Sequence, residues 1–203
     1  MSHPVVWLAR HGETEWSREL RHTGLTDIPL TPKGEEQARA LAEPLAAHDF
    51  DRVLCSPLER ARETCALAGL GSRAEYREEL VEWDYGDYEG ITSKEIREGR
   101  PDWVLWRDGC PGGESPAEIG ARVDAAVADL TALEGTIVVF AHGHVLRVLA
   151  ARWAGLEPGG GRRFGLGTAT LSRLGWEHET RVIDLWNAPV DRPTGGSASP
   201  QQR

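Results

Sequence analysis

The sequence predicts an α/β fold, a three-layer sandwich with a mostly parallel central sheet and helices on both faces. Three observations carry this reading. Short, continuous apolar runs recur at 5–9, 52–55 and 136–141; unbroken runs of that length suit strands covered on both faces. Helical periodicities stand between them, and a strand, helix, strand order implies right-handed crossovers and parallel pairing. The chain has 203 residues, which suits one domain with its own core and is short for two full-sized ones. The domain is placed at residues 1–190.

The elements follow in order. Val5-Val6-Trp7-Leu8-Ala9 is the first strand. Thr31-Pro32-Lys33 opens the first helix, with threonine as N-cap and proline at the first helical position. Ala38, Leu41, Ala42 and Leu45 then recur at helical spacing. Pro44 conflicts with that stripe, because an interior proline costs about 3 kcal/mol, so a kink or break is expected there. After the strand 52–55, Ser56-Pro57 is expected to open a second helix that turns Leu58, Ala61, Cys65 and Leu67 or Ala68 inward. A third helix spans 114–133 with Ile119, Val123, Ala126, Val127 and Leu130 as its stripe. A fourth, 145–154, follows the strand 136–141 directly. Runs at 170–174 and 181–185 form a closing hairpin. The segment 191–203, rich in Pro, Gly and Ser, is expected to be a disordered tail.

Charge narrows the function classes. Lys and Arg number 23 against 32 Asp and Glu, a formal net charge of -9. An acidic body repels polyanions, so neither nucleic acid nor an anionic membrane is expected as a partner, whereas clustered cations can still attract a small anion into one cleft. The three cysteines, Cys55, Cys65 and Cys110, form no CxxC pair and read as reduced thiols. No cationic, apolar leader opens the chain, and no window approaches the roughly 20 apolar residues of a membrane helix; a cytoplasmic location is expected. Trp153, Trp176 and Trp186 read either as a homodimer face or as core.

In open parallel sheets ligands bind beyond the carboxyl ends of the strands. The residues found there are cationic or imidazole-bearing: Arg10 and His11 after the first strand, Arg60 soon after the second, and His142 after the third. If the strands are neighbours, two guanidiniums and two imidazoles meet in one cleft, a constellation suited to phosphate or carboxylate. The His142-Gly143-His144 spacing also suggests a metal, but no acidic cluster with ligand spacing accompanies it, and no metal or other cofactor is expected. His22 and His144 taken singly read as structural histidines.

The motif Leu8-Ala9-Arg10-His11-Gly12-Glu13-Thr14-Glu15-Trp16-Ser17 resembles the signature of the histidine phosphatase superfamily, which includes phosphoglycerate mutases and many small phosphatases. Four further stretches match in order: His22-Thr23-Gly24-Leu25-Thr26-Asp27 with Leu30-Thr31, Cys55-Ser56-Pro57-Leu58-Glu59-Arg60-Ala61-Arg62-Glu63-Thr64, Glu82-Trp83-Asp84-Tyr85-Gly86-Asp87-Tyr88-Glu89-Gly90, and Ala141-His142-Gly143-His144. The resemblance implies a phosphoglycerate mutase-like fold and assigns roles. His11 is the nucleophile that becomes a phosphohistidine, its other ring nitrogen held by a backbone carbonyl of the Gly12 turn. Arg10, Arg60 and His142 neutralise the phosphoryl oxygens, and Gly143 allows close backbone approach. Ser17, Thr23, the Gly24 amide and Tyr85 are further substrate contacts. Glu82 serves as acid, then base.

This chemistry needs a neutral imidazole beside a protonated carboxyl, the reverse of free solution, where Glu titrates near about 4.3 and His near about 6.5. The two arginines favour the first condition and a bound phosphate dianion the second, which implies activity on the acid side of neutrality. The alternatives are a phosphoglycerate mutase and a non-catalytic phospholigand binder. The stretch 92–115 is short, with Lys94, Arg97, Arg100 and Arg107 as its cations, which favours a phosphatase over a mutase. The retained His11, Glu82 and His142 disfavour a binder. The stretch 103–115 resembles small bacterial acid phosphatases and the sedoheptulose-bisphosphatase branch, and implies small phosphate monoesters, sugar phosphates or bisphosphates, as substrates. In that reading Arg107 or its neighbours contact the distal part of the substrate; the plainer alternative is that Trp103 and Trp106, three apart, form an amphipathic lid packed on the core.

Overall fold

A computed structural model describes residues 3–190; the expected tail at 191–203 lies outside the described residues. Six strands form one sheet: β1 (Val5–Arg10), β2 (Arg52–Cys55), β3 (Ala74–Tyr76), β4 (Thr136–Ala141), β5 (Thr170–Glu177) and β6 (Thr180–Pro189). Their order is β3-β2-β4-β1-β5-β6. The first four in that order are mutually parallel, while β5 and β6 are antiparallel additions along the β1 edge. The α/β architecture therefore stands as the sequence predicts.

Among the described residues eight α-helices complete it: α1 (Glu15–Arg18), α2 (Pro32–Ala40), α3 (Ala42–Ala46), α4 (Glu59–Leu67), α5 (Ser93–Gly99), α6 (Leu105–Asp108), α7 (Pro116–Ala132) and α8 (Gly143–Trp153). The apolar runs conceal an alternation between two buried faces. Val6 and Leu8 of β1, with Ile137 and Val139 of β4, face Val123, Val127, Leu146 and Leu149 of α7 and α8. Trp7 and Ala9, with Val138 and Phe140, face Leu41, Leu45, Ala61 and Cys65. A period of two with both faces covered reads as a continuous run. Trp153 is fully buried in the first of these cores, and the partly buried Trp176 and Trp186 pack against it.

Local departures have local causes. The first predicted helix is broken at Leu41, and Pro44 becomes the third residue of α3, where a helix has no partner for its amide in any case. The helix expected from Ser56 starts at Glu59; Leu58 caps it without a side-chain bond, and Asp27 Oδ1 accepts from the Glu59 amide at 2.7 Å. The three-residue edge strand β3 and the short α1, α5 and α6 are too brief to show a period, although Thr92 and Glu95 form a capping box at α5.

Helix α2 sets the position of the loop that leaves β1. Gly34 packs on the Glu13 backbone and Gly12 on that of Gly34, so that a Cβ on either would collide with main chain. Alanine is the better helix former by about 1 kcal/mol, yet overpacking costs about 1–3 kcal/mol. Gly34→Ala is therefore expected to lower the melting temperature by several degrees; an unchanged or higher value in a thermal melt would contradict this packing.

Candidate active site

The ladder around β4 assembles the site. Arg10 pairs with Ala141 and Cys55 with Phe140. The next amides continue the pattern, His11 N donating to Ala141 O at 3.0 Å and Ser56 N to Phe140 O at 2.9 Å. His11, Ser56 and His142 thus emerge side by side, with the His11 and His142 ring centres 5.2 Å apart.

His11 is buried, and its Nδ1 lies 2.7 Å from the Gly12 carbonyl oxygen. A carbonyl only accepts, so Nδ1 carries the proton and Nε2 keeps its lone pair. Nε2 has no hydrogen bond among the described residues and His11 lines the main cleft. Burial, then the charges of Arg60 and Arg10, hold its pKa well below the usual histidine value. The expected Gly12 carbonyl contact is present.

Arg60 and His142 lie behind the cleft wall, both fully buried. Arg60 Nε donates to His142 Nδ1 at 3.0 Å, and its terminal nitrogens donate to the carbonyls of Thr23, Gly24 and Thr26. With Nδ1 accepting, the neutral His142 ring carries its proton on Nε2, which donates to Ser56 Oγ at 2.7 Å. Burial first, and Arg60 second, lower the His142 pKa well below the ordinary value. Thr64 ties this layer to the loop: its hydroxyl donates to the Arg60 carbonyl and accepts from the Gly12 amide.

Arg10 lines the cleft and donates from Nη1 to the Leu166 carbonyl at 2.5 Å, while its buried Nε has no partner among the described residues. Its guanidinium lies against Gly143, where a Cβ would stand 3.2 Å from Cζ. Glu82 is buried at the N-terminus of α8. Its Oε1 accepts from the amides of Trp83 and Val145, and its Oε2 from that of His144, all within 2.9 Å. The Gly143 amide, first in that helix, donates to nothing among the described residues.

Two of the expected donors have partners within the protein. The Gly24 amide donates to Glu89 Oε1 at 2.8 Å, so it is not free to bind a phosphoryl oxygen; the Glu89 carboxylate, which also accepts from the Thr26 amide, folds this loop. Ser17 lines the cleft, but its hydroxyl donates to the Thr14 carbonyl and accepts from the Thr14 amide in a capping box. Thr23 lines the cleft with its hydroxyl directed to the Arg21 carbonyl. Tyr85 is buried against the cleft and lies 2.5 Å from His144 Nδ1 through its hydroxyl.

The cleft encloses about 600 Å³, larger than a phosphate alone needs and in the range of small-molecule sites. Its outer wall carries Arg21, Lys94, Arg97, Trp106 and Arg147. Arg107 is turned elsewhere: it bonds Asp108, whose carboxyl it pulls down to about 2, and the Asp102 carbonyl. Trp103 is core, with its indole N–H on the Gly109 carbonyl, whereas Trp106 is the half-buried cleft residue. Ser56, Thr64 and Glu89 lie in stretches that carry the resemblance, but their contacts, like that of Arg147, depend on tertiary placement and are not read from the sequence.

The chain matches the histidine phosphatase superfamily (branch 1) over residues 6–189. It is 44% identical over 180 residues to an acid phosphatase of Mycobacterium tuberculosis, covering 87% of this chain and 88% of that one. It is 41% identical over 185 residues to sedoheptulose 1,7-bisphosphatase of Saccharomyces cerevisiae, covering 75% and 68%. A solved structure of an open reading frame of Mycobacterium tuberculosis superimposes with a TM-score of 0.86 at 39% identity, covering 92% and 98% of the two chains.

Four histidines, His11, His22, His142 and His144, have pKa values lowered chiefly by burial. Between their folded values and the unfolded value of about 6.5, the unfolded chain binds more protons, so stability falls as pH drops. Each histidine contributes at most about 1.4 kcal/mol per pH unit in that window. The urea midpoint is expected to be flat above about pH 7.5 and to fall steadily from pH 7 to 5; an unchanged midpoint at pH 5 would show that these imidazoles are not held neutral.

Proposed function

The chain belongs to the histidine phosphatase superfamily, and we propose that it hydrolyses phosphate monoesters of small metabolites, sugar phosphates among them, through a phosphohistidine at His11. The observation that carries this reading is a neutral imidazole with Nδ1 anchored and Nε2 free, facing the same cleft as Arg10 with its unpaired Nε. The names of the two relatives, an acid phosphatase and a sugar bisphosphatase, support hydrolysis over the mutase alternative.

In the first step the His11 Nε2 lone pair forms a bond to phosphorus while the bond to the alcohol oxygen breaks, and Glu82 gives that oxygen a proton. In the second, water forms a bond to phosphorus, the N–P bond breaks, and Glu82 takes the proton from water. Two amides occupy Glu82 Oε1 and one occupies Oε2, which leaves Oε2 for the travelling proton. Arg10 and the Gly143 amide supply donors to the phosphoryl oxygens, where charge neutralisation and alignment do most of the catalysis. Arg60 acts from behind, keeping His11 neutral and fixing the His142 tautomer.

The protein is proposed to need no metal: arginines and a helix amide fill the place a cation would take. Among the described residues no helix is long and apolar enough to cross a membrane, and a cytoplasmic location is proposed.

Purified protein is expected to release nitrophenol from p-nitrophenyl phosphate in EDTA between pH 5 and 7. His11→Ala should lose turnover by several orders of magnitude, and the parent protein should yield an acid-labile, alkali-stable phosphoenzyme. A folded parent without turnover would overturn the phosphatase reading; full turnover in His11→Ala would overturn the nucleophile alone. Because the His11 pKa is depressed, kcat/KM should show no loss between pH 7 and 5.5, where an ordinary histidine becomes protonated.

A further inference from the structure

His144 occupies an unexpected place. Its amide binds Glu82, yet its ring lies in the cleft wall, wedged between three aromatic groups. Trp106 stands 5.2 Å from it, Trp83 6.3 Å edge-on, and Tyr85 5.8 Å edge-on. Arg147 lies over the outer face of Trp106 at 4.6 Å. The ring directs Nδ1 at the Tyr85 hydroxyl, 2.5 Å away.

The proton in this contact can sit on either partner. Phenol is the stronger acid and imidazole the stronger base, with ordinary pKa values of about 10 and about 6.5, so the neutral pair is O–H···N rather than N–H···O. Burial acts the same way on both, raising the Tyr85 pKa and lowering that of His144. The single phenolic proton is then committed, and the Tyr85 oxygen offers the cleft only lone pairs.

An acceptor of this kind cannot assist a phosphoryl group, whose oxygens are themselves acceptors. It suits a hydroxyl donor on the alcohol half of the substrate. Resting on the phosphomonoesterase reading, we infer that His144 is a positioning residue that makes Tyr85 a hydroxyl acceptor, so that the cleft selects esters of polyhydroxylated alcohols over esters that lack hydroxyl groups. Tyr85 is well placed for this, between His22, 4.8 Å away ring to ring, and His144. Selectivity by such a contact arises because a buried polar atom left unpaired is penalised when the wrong substrate binds.

The test compares kcat/KM for a panel of sugar phosphates with that for p-nitrophenyl phosphate, in the parent protein and in His144→Phe, His144→Asn and Tyr85→Phe. The asparagine side chain can place an amide oxygen near the position of Nδ1 and accept from Tyr85; phenylalanine keeps a ring but cannot. The ratio of sugar ester to aryl ester is expected to fall about tenfold or more in His144→Phe and Tyr85→Phe, as the loss of one hydrogen bond implies, and to be largely restored in His144→Asn. A ratio within twofold of the parent in folded His144→Phe would overturn the inference, and so would equal losses in the phenylalanine and asparagine variants. If both His144 variants fail to fold, Tyr85→Phe decides by the same ratio. Absence of aryl phosphate hydrolysis in the parent protein would instead mark failure of the phosphatase reading itself.

Discussion

The structure depends on one buried charge. Arg60 is completely enclosed and has no carboxylate partner among the described residues; it is satisfied by three carbonyls and one imidazole nitrogen. Burying an unpaired charge is costly unless every donor is used, and the chain has shaped several segments to that end. The turn at 23–27 presents its carbonyls inward because Glu89 takes two of its amides from outside. The His142 ring is held as the tautomer that leaves Nδ1 to accept. Burial first, and the charges of Arg60 and Arg10 after it, keep the His11 imidazole neutral. The carboxylates of Glu82, Asp27 and Glu89 act on the Arg60 charge through space without bonding it among the described residues, and an incoming phosphate adds a further negative charge to that field.

Much of this was legible in the sequence for a reason particular to parallel sheets. Strand ends of β1, β2 and β4 must lie at one edge, so residues immediately after each run become neighbours whatever the separation in the chain. That argument finds Arg10, His11, Arg60 and His142 without any structure, and the motif stretches add Glu82. What it cannot find is depth. Arg10 and Arg60 look alike in sequence, yet one lines the cleft and the other stands behind His142, because Arg60 rises from the first turn of α4 into the protein while Arg10 ends a strand at the cleft floor.

The misreadings share a second cause, competition for a donor or acceptor. Ser56 resembles a helix N-cap, but its hydroxyl is used by His142, and the helix begins three residues later with Asp27 supplying the cap. Gly24 resembles a phosphate-binding amide, but Glu89 reaches it first. Ser17 faces the cleft, but the shortness of α1 turns its hydroxyl back to Thr14. A local motif states what a group can do; the nearest strong partner decides what it does, and that partner is 65 residues away for Gly24 and 86 for Ser56.

The net charge of -9 gains a different meaning from this arrangement. At physiological ionic strength the Debye length is about 8 Å, so a ligand outside the cleft meets an acidic body, while one inside meets Arg10 at the floor and the cations of the outer wall. Attraction is thus confined to molecules small enough to enter a cleft of about 600 Å³. A long polyanion would keep most of its charge against the repelling surface and bring little of it near Arg10. A single phosphate ester gains the local field and escapes the global one. The neutrality of His11 belongs to the same design, since a protonated nucleophile would hold the dianion as an ion pair and have no lone pair left to attack it.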